Sequence, residues 1–208
     1  MLTSATVTFG RFLRAHGWTW PWAGLLLAVA AAAGATQWVT LPAIYPEREP
    51  VETLETIGTL FALPLAAGIA VLFTPRCPEL QAVASARLWP ARVALVLLAA
   101  VLCLAACAFV TALGPPMLTF DAVTRTYALI VGAHLVGMVL RGPGGGYVAS
   151  IVFVAVQSFP GFLPWRVNLL FNPALAEGAW VVVGTTWAFV ALLWLAGVPR
   201  WRAGPNGG

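Results

Sequence analysis

The chain has 208 residues, of which 61% are hydrophobic and 9% are charged, whereas roughly 25% of residues are charged in an average soluble domain. So few polar side chains cannot cover a water-soluble core, and intrinsic disorder is excluded because it requires low hydrophobicity together with high net charge. The composition therefore predicts an all-α integral membrane protein, since each spanning helix needs about 20 apolar residues.

The formal charge of +4 includes eleven basic residues, all of them arginine. They stand singly between apolar runs, without a basic patch interleaved with aromatic residues, so we expect no nucleic-acid partner. Cys77 stands alone, and Cys103 and Cys107 lie one helical turn apart in an apolar run. We expect these cysteines to be small packing residues rather than a disulfide framework or a metal site.

The N-terminal segment, residues 1–17, carries Arg11 and Arg14 among apolar side chains. This mixture predicts a short amphipathic helix that lies in the membrane interface. The alternative is a signal peptide over residues 1–35, which would end at the small residues Ala33-Gly34-Ala35. The apolar run is longer than an ordinary signal-peptide core, which favours the interfacial helix.

Six apolar runs follow, each long enough to cross a bilayer. Their predicted bounds are 18–39, 55–73, 92–113, 123–140, 147–164 and 179–198, with a tail at 199–208. With both termini in the cytoplasm, only Arg48, Arg125 and Arg166 of the eleven arginines fall on outer segments. The positive-inside rule favours this orientation, so we predict six transmembrane helices with both termini cytoplasmic.

The cytoplasmic connection at 75–91 has the pattern of a short amphipathic helix. Pro78 can begin it, Glu79 suits its first turn and Arg87 its last. Its apolar residues recur on one face, at Leu80, Val83, Ala84 and Leu88. Two interpretations remain open: a helix that rests on the lipid headgroups, or a docking element for a soluble partner.

The fifth apolar run is interrupted by Gln157, Ser158, Pro160 and Pro164. Non-helical backbone at membrane depth is tolerated only where protein or a watery cavity surrounds it. We therefore expect a re-entrant or interfacial hairpin near the outer face over residues 159–173. The alternative is a helix that ends early and is followed by a hydrophobic loop.

The sequence contains no zinc-protease motif, no nucleophile elbow and no phosphate-binding loop, so we do not expect an enzyme. His134 is the only histidine inside a predicted span, and we expect a hydrogen-bonded packing residue there. The alternatives are that it lines a pathway or takes part in chemistry with Ser150 or Ser158. Neither serine has the sequence setting of a nucleophile or an evident oxyanion hole.

An amphipathic lead-in, six spans, a helix in the first cytoplasmic loop and a broken segment before the last span form one pattern. The stretches TPRCPELQAVASARLWPAR and TRTYALIVGAHLVGMVLRG carry it most clearly. The pattern resembles the membrane subunit of type-2 ABC exporters, in particular the small permeases common in actinobacteria. The resemblance implies a permease subunit in a bacterial plasma membrane, partnered by a separate ATP-binding subunit and by a second permease copy or a sister permease.

The same resemblance implies that ATP and magnesium bind the partner subunit and that this chain holds no cofactor. It makes the segment around Pro78–Trp89 a coupling helix, on which the ATPase would dock through Pro78, Glu79, Ala82, Val83, Arg87 and Leu88. The residues expected at a pathway or outer gate are His134, Gln157, Ser158, Pro160 and Phe162.

The scarcity of charge inside the spans favours an apolar or amphipathic substrate, such as a peptide, an antibiotic or a lipid-like molecule. The alternative function is a non-catalytic membrane scaffold or immunity protein without transport activity.

Overall fold

The computed structural model describes residue 13 and residues 18–39, 57–74, 89–158 and 162–196. Within these ranges all regular secondary structure is helical, which confirms the predicted all-α class. The α-helices are α1 (Trp20–Thr36), α2 (Ile57–Leu60), α3 (Ala62–Ala70), α4 (Trp89–Leu113), α5 (Phe120–Arg141), α6 (Pro143–Ser158) and α7 (Ala176–Leu195). Short 3₁₀ turns lie at Val71–Phe73, Trp165–Val167 and Pro173–Leu175.

Three helical stretches among the described residues are long and apolar enough to cross a membrane: Trp89–Leu113, Phe120–Arg141 and Pro173–Leu195. Two shorter apolar helical stretches, Trp20–Thr36 and Ile57–Phe73, accompany them. The apolar window of α5 is 78% buried, whereas those of the first and third stretches are 28% and 22% buried. Helices α4 and α7 therefore pack against α5 and turn large apolar faces outward, an arrangement suited to lipid rather than water.

Helix α5 is the centre of the bundle and packs against α3, α4, α6 and α7. Its sequence carries signals at both ends: the Thr119 side chain accepts a hydrogen bond from the backbone N–H of Ala122 at 3.2 Å, and Asp121 stands in the first turn. At the other end Arg141 stands in the last turn, and Gly142 stops the helix with φ 91°.

The connection between α5 and α6 is shorter than predicted. The predicted fifth span begins at residue 147, but α6 begins at Pro143, inside the glycine-rich stretch that follows Arg141. Proline suits a first helical position because its φ is already helical and its missing N–H would have no partner there. Only Gly142 is left to reverse the chain, so α5 and α6 form a tight hairpin.

The break between α2 and α3 has a local cause. Pro64 lacks the N–H that would bond to the carbonyl of Leu60, and its ring crowds that carbonyl. The helix is interrupted at Phe61, whose N–H bonds to the Gly58 carbonyl at 3.1 Å instead. Two short helices therefore replace one continuous helix in this stretch.

Several bounds differ from the predicted spans. Helices α4, α5 and α7 begin at Trp89, Phe120 and Ala176, ahead of the predicted 92, 123 and 179. Hydropathy marks the apolar centre of a helix, whereas the helix itself continues into interfacial residues. Helix α6 ends at Ser158 rather than continuing to 164, followed among the described residues by a turn region from Phe162 onward.

Arg125 is the clearest departure from the predicted layout. It was counted with an outer segment, but it lies in the second turn of α5 and is 3% exposed. Asp121, one turn earlier, accepts a hydrogen bond from the Trp180 indole at 3.0 Å.

The predicted interfacial helix at 1–17 lies outside the described residues except for Leu13, and the tail at 199–208 and Pro160 lie outside them too. The predicted coupling helix at 75–91 also lies outside them, apart from residues 89–91, which belong to α4.

Candidate functional site

A cavity of about 450 Å³ opens at the end of the bundle where α1 begins, which we call the cavity end. Its walls come from the start of α1, from α3 and the 3₁₀ turn after it, from the last turns of α5 and from the start of α6. The small and apolar side chains of Ala67, Ala70 and Val71, from α3 and the turn after it, line the cavity. The side chains of Trp22, His134 and Tyr147 line it as well. Its volume falls in the roughly 300–1,000 Å³ range of small-molecule pockets.

His134 is buried in the cavity wall and is held by α6. Its Nδ1 lies 3.1 Å from Ser150 Oγ, while the Ser150 hydroxyl lies 3.0 Å from the carbonyl oxygen of Gly146. A carbonyl can only accept, so we assign the serine proton to the bond with Gly146, and the serine oxygen then accepts from the imidazole. The proton of the imidazole is therefore assigned to Nδ1.

The polarity of this pair is the reverse of a serine nucleophile, in which the hydroxyl gives its proton to the imidazole. The pocket around the ring is also tight, because a Cβ built on Gly146 would lie 2.7 Å from Nε2 of His134. Tyr147 packs edge-on at a centroid distance of 5.1 Å. The arrangement favours a hydrogen-bonded packing role for His134, whose side chain also forms part of the cavity wall.

Replacing Ser150 by alanine removes the acceptor of the His134 Nδ1–H in a buried setting. An unpaired buried donor costs about 1–3 kcal/mol, so we expect a drop of several degrees in the thermal unfolding midpoint in detergent. Ser158→Ala, at the end of the same helix, is the control and is expected to change the midpoint by much less. Equal midpoints for the two variants would contradict the assigned hydrogen bond.

The opposite end of the bundle, which we call the far end, is closed by a buried polar cluster of Gln37, Gly58 and Tyr127. The Tyr127 hydroxyl donates to the Gly58 carbonyl at 2.6 Å and lies 3.5 Å from Nε2 of Gln37. The tyrosine is 1% exposed and the glutamine 2% exposed. The cluster thus joins the end of α1 to α2 and α5 and leaves no water-filled opening at these side chains.

Tyr127 stands seven residues before His134, which places both on one face of α5 at a separation of about 10 Å. The same face therefore meets the cavity at one end and the sealing cluster at the other. The i, i+7 spacing was visible in the sequence, but nothing there distinguished Tyr127 from an ordinary packing residue.

Asn168 and Gln157 organise the turn region after α6. The Asn168 side chain donates to the Gln157 carbonyl at 2.6 Å and accepts from the backbone N–H groups of Leu170 and Phe171 at 3.1 and 3.0 Å. The Gln157 side chain accepts from the N–H of Leu169 at 2.9 Å. These bonds satisfy backbone groups that a non-helical segment at this depth would otherwise leave unpaired.

The structure describes four of the five predicted pathway residues and gives them different surroundings. His134 borders the cavity, whereas Gln157 lies about 10 Å farther along α6 than Ser150 and serves the turn region. Ser158 ends α6, and Phe162 is 66% exposed. The described part of the chain holds no group of three or more residues suited to a metal ion.

The six predicted docking residues, Pro78, Glu79, Ala82, Val83, Arg87 and Leu88, lie outside the described residues. The cavity walls contributed by Trp22 and Tyr147 were not predicted, because a cavity depends on which helices become neighbours.

No family model, no curated protein and no solved structure matches the chain. Function is therefore inferred from the cavity, the far-end cluster and the sequence.

Proposed function

We propose that this chain is the permease subunit of an ATP-driven exporter and forms half of a translocation pathway for an apolar or amphipathic substrate. The observation that supports the proposal is the pairing of an accessible cavity at one end of the bundle with a buried polar seal at the other. Alternating access requires a pathway that is open to one side at a time.

In the proposed orientation the chain crosses a bacterial plasma membrane six times, with both termini in the cytoplasm. The distribution of the arginines supports this orientation. Since α1 begins next to the N-terminal segment, the cavity end faces the cytoplasm, and the cluster of Gln37, Gly58 and Tyr127 faces outward. The described conformation then corresponds to an inward-open state.

Energy is supplied by a separate chain in this proposal, because the sequence has no phosphate-binding loop. The ATPase docks on the segment 75–91, binds ATP and magnesium itself, and transmits its closure to α3 and α4, which flank that segment. A second copy of this chain or a sister permease completes the pathway.

Purification of the tagged chain from its native host in mild detergent tests the partnership. We expect a protein with a phosphate-binding loop to co-purify, and its recovery to fall at least about tenfold when Glu79 and Arg87 are both changed to alanine, because each 1.4 kcal/mol of lost binding is tenfold. The matched control changes Arg166 and Glu177 to alanine, two exposed charges toward the far end, and is expected to leave recovery unchanged.

Purification of the chain alone across several detergents would overturn the ATPase partnership. That result would favour a membrane scaffold or immunity protein, or a transporter driven by another energy source.

A further inference from the structure

The lining of the cavity is largely apolar, with polar groups from Thr19, Thr74, His134 and Tyr147. None of the described residues that line it is an aspartate, glutamate or arginine. Aliphatic surface comes from Ala67, Ala70, Val71 and Met138, and the Trp22 and Tyr147 rings come from α1 and α6. Such walls bind hydrocarbon, because burial of apolar surface is favourable whereas an unpaired charge there is costly.

Among the described charged residues, Arg141 is the one nearest in sequence to the cavity lining. It is exposed in the last turn of α5, one turn beyond Met138 and two residues before Pro143, both of which line the cavity. Its Cβ lies only 2.6 Å from the position of a Cβ built on Gly145, so the base of the side chain lies against α6. An exposed cationic side chain therefore begins beside the residues that line the cavity.

Negative charge is absent from this end of the described structure. The only carboxylate side chains in the described ranges are Asp121, in the first turn of α5, and Glu177, in the first turn of α7, both far along the chain from the cavity-lining residues.

We infer that the cavity binds an anionic amphiphile with a single hydrocarbon chain, whose apolar part lies among α1, α3, α5 and α6 and whose carboxylate or phosphate stays at the mouth beside Arg141. The volume of about 450 Å³ suits one chain rather than the two chains of a membrane phospholipid. That this ligand is the cargo of the exporter rests on the proposed function, whereas the binding of the ligand to the cavity does not.

Equilibrium binding of radiolabelled laurate to the purified chain in maltoside micelles tests the inference. We expect saturable binding that dodecyl phosphate displaces as well as unlabelled laurate does. Dodecanol should compete about fivefold more weakly, since one arginine near a membrane surface is worth about 1 kcal/mol toward an anion. Dodecyltrimethylammonium should be the weakest competitor. Equal competition by the cation and the anion would overturn the inference.

Two variants locate the site, each with a matched control. Ala67→Phe fills the cavity and is expected to weaken laurate binding at least about tenfold, whereas Ala105→Phe, on an exposed face of α4, should leave it unchanged. Arg141→Gln should bring laurate down to the affinity of dodecanol, and Arg166→Gln, on the turn region after α6, should not.

The inference is overturned if Ala67→Phe binds like the unaltered chain, or if Arg141→Gln keeps the preference for laurate over dodecanol. If Ala67→Phe fails to fold, the arginine pair and the competition series still decide the outcome. No ATPase is present in the binding assay, so the two tests are independent. If no ATPase co-purifies but laurate still binds, only the exporter proposal is refuted. An ATPase partner without laurate binding would refute only the ligand.

Discussion

Replacement of Gly137 by valine is expected to destabilise the bundle by about 3 kcal/mol or more. A Cβ on Gly137 would collide with the backbone carbonyl oxygen of Gly145 and would lie 2.5 Å from the Cβ of Ala149. Backbone atoms and a Cβ cannot rotate out of the way, so the two helices have to separate. Separation opens gaps along the most closely packed pair of helices in the fold.

The thermal unfolding midpoint of the purified chain in detergent is the measurement. A loss of about 3 kcal/mol corresponds to a drop of roughly 10 °C for a domain of this size. Gly144→Ala is the control, because a Cβ there meets no atom within 4 Å. It is expected to raise the midpoint slightly, as alanine favours a helix by about 0.5–1 kcal/mol over glycine. A midpoint for Gly137→Val within 2 or 3 °C, on the order of 1 kcal/mol, of the control would disprove the close contact.

Replacement of Asn168 by alanine is expected to have the second large effect, a loss of about 3 kcal/mol or more. The side chain is fully buried and makes three hydrogen bonds to backbone groups: the Gln157 carbonyl and the N–H groups of Leu170 and Phe171. Alanine leaves these groups without that partner, and each unpaired buried group costs about 1–3 kcal/mol. Water cannot replace the side chain readily in a segment packed against the bundle.

The measurement is again the thermal unfolding midpoint. Two further variants are expected to lose less stability than Asn168→Ala. Asn172→Ala removes two backbone contacts and should cost less than Asn168→Ala. Thr185→Ala removes only a bond from an exposed hydroxyl to carbonyls of its own helix and should cost least. A loss for Asn168→Ala no larger than that for Asn172→Ala would contradict the role assigned to Asn168 in the turn region.

Much of the helical content could be predicted from composition and apolar runs, because a long apolar segment has few alternatives to a helix. The bounds were harder to predict, since Trp89 and Phe120 belong to helices although they lie outside the apolar centres. The start of α6 at Pro143 was missed because a run of three glycines ordinarily marks a turn. Here Gly145 and Gly146 instead allow α6 to approach α5, a property that appears only when both helices are considered together.

The candidate site was less accessible to sequence reasoning. The sequence offered two serines as partners of His134, and their spacing could not tell that Ser150 is the partner or that its proton points to Gly146. The cavity depends on the meeting of α1, α3 with the turn after it, and the α5–α6 hairpin, which are three separate parts of the sequence. The buried position of Arg125 has the same origin, because neighbouring helices rather than hydropathy cover that side chain.

The cavity has two sides, one formed by the α5–α6 hairpin and one formed by α1 and α3, and the hairpin side is the more tightly held together. A single residue, Gly142, joins the two helices, and the close approach of Gly137 to Gly145 together with the His134–Ser150 bond fixes them to each other. We therefore expect the hairpin to move as one body. Widening or narrowing of the cavity is then expected to come from displacement of α1 and α3 relative to the hairpin, with the break before Pro64 as a hinge on that side.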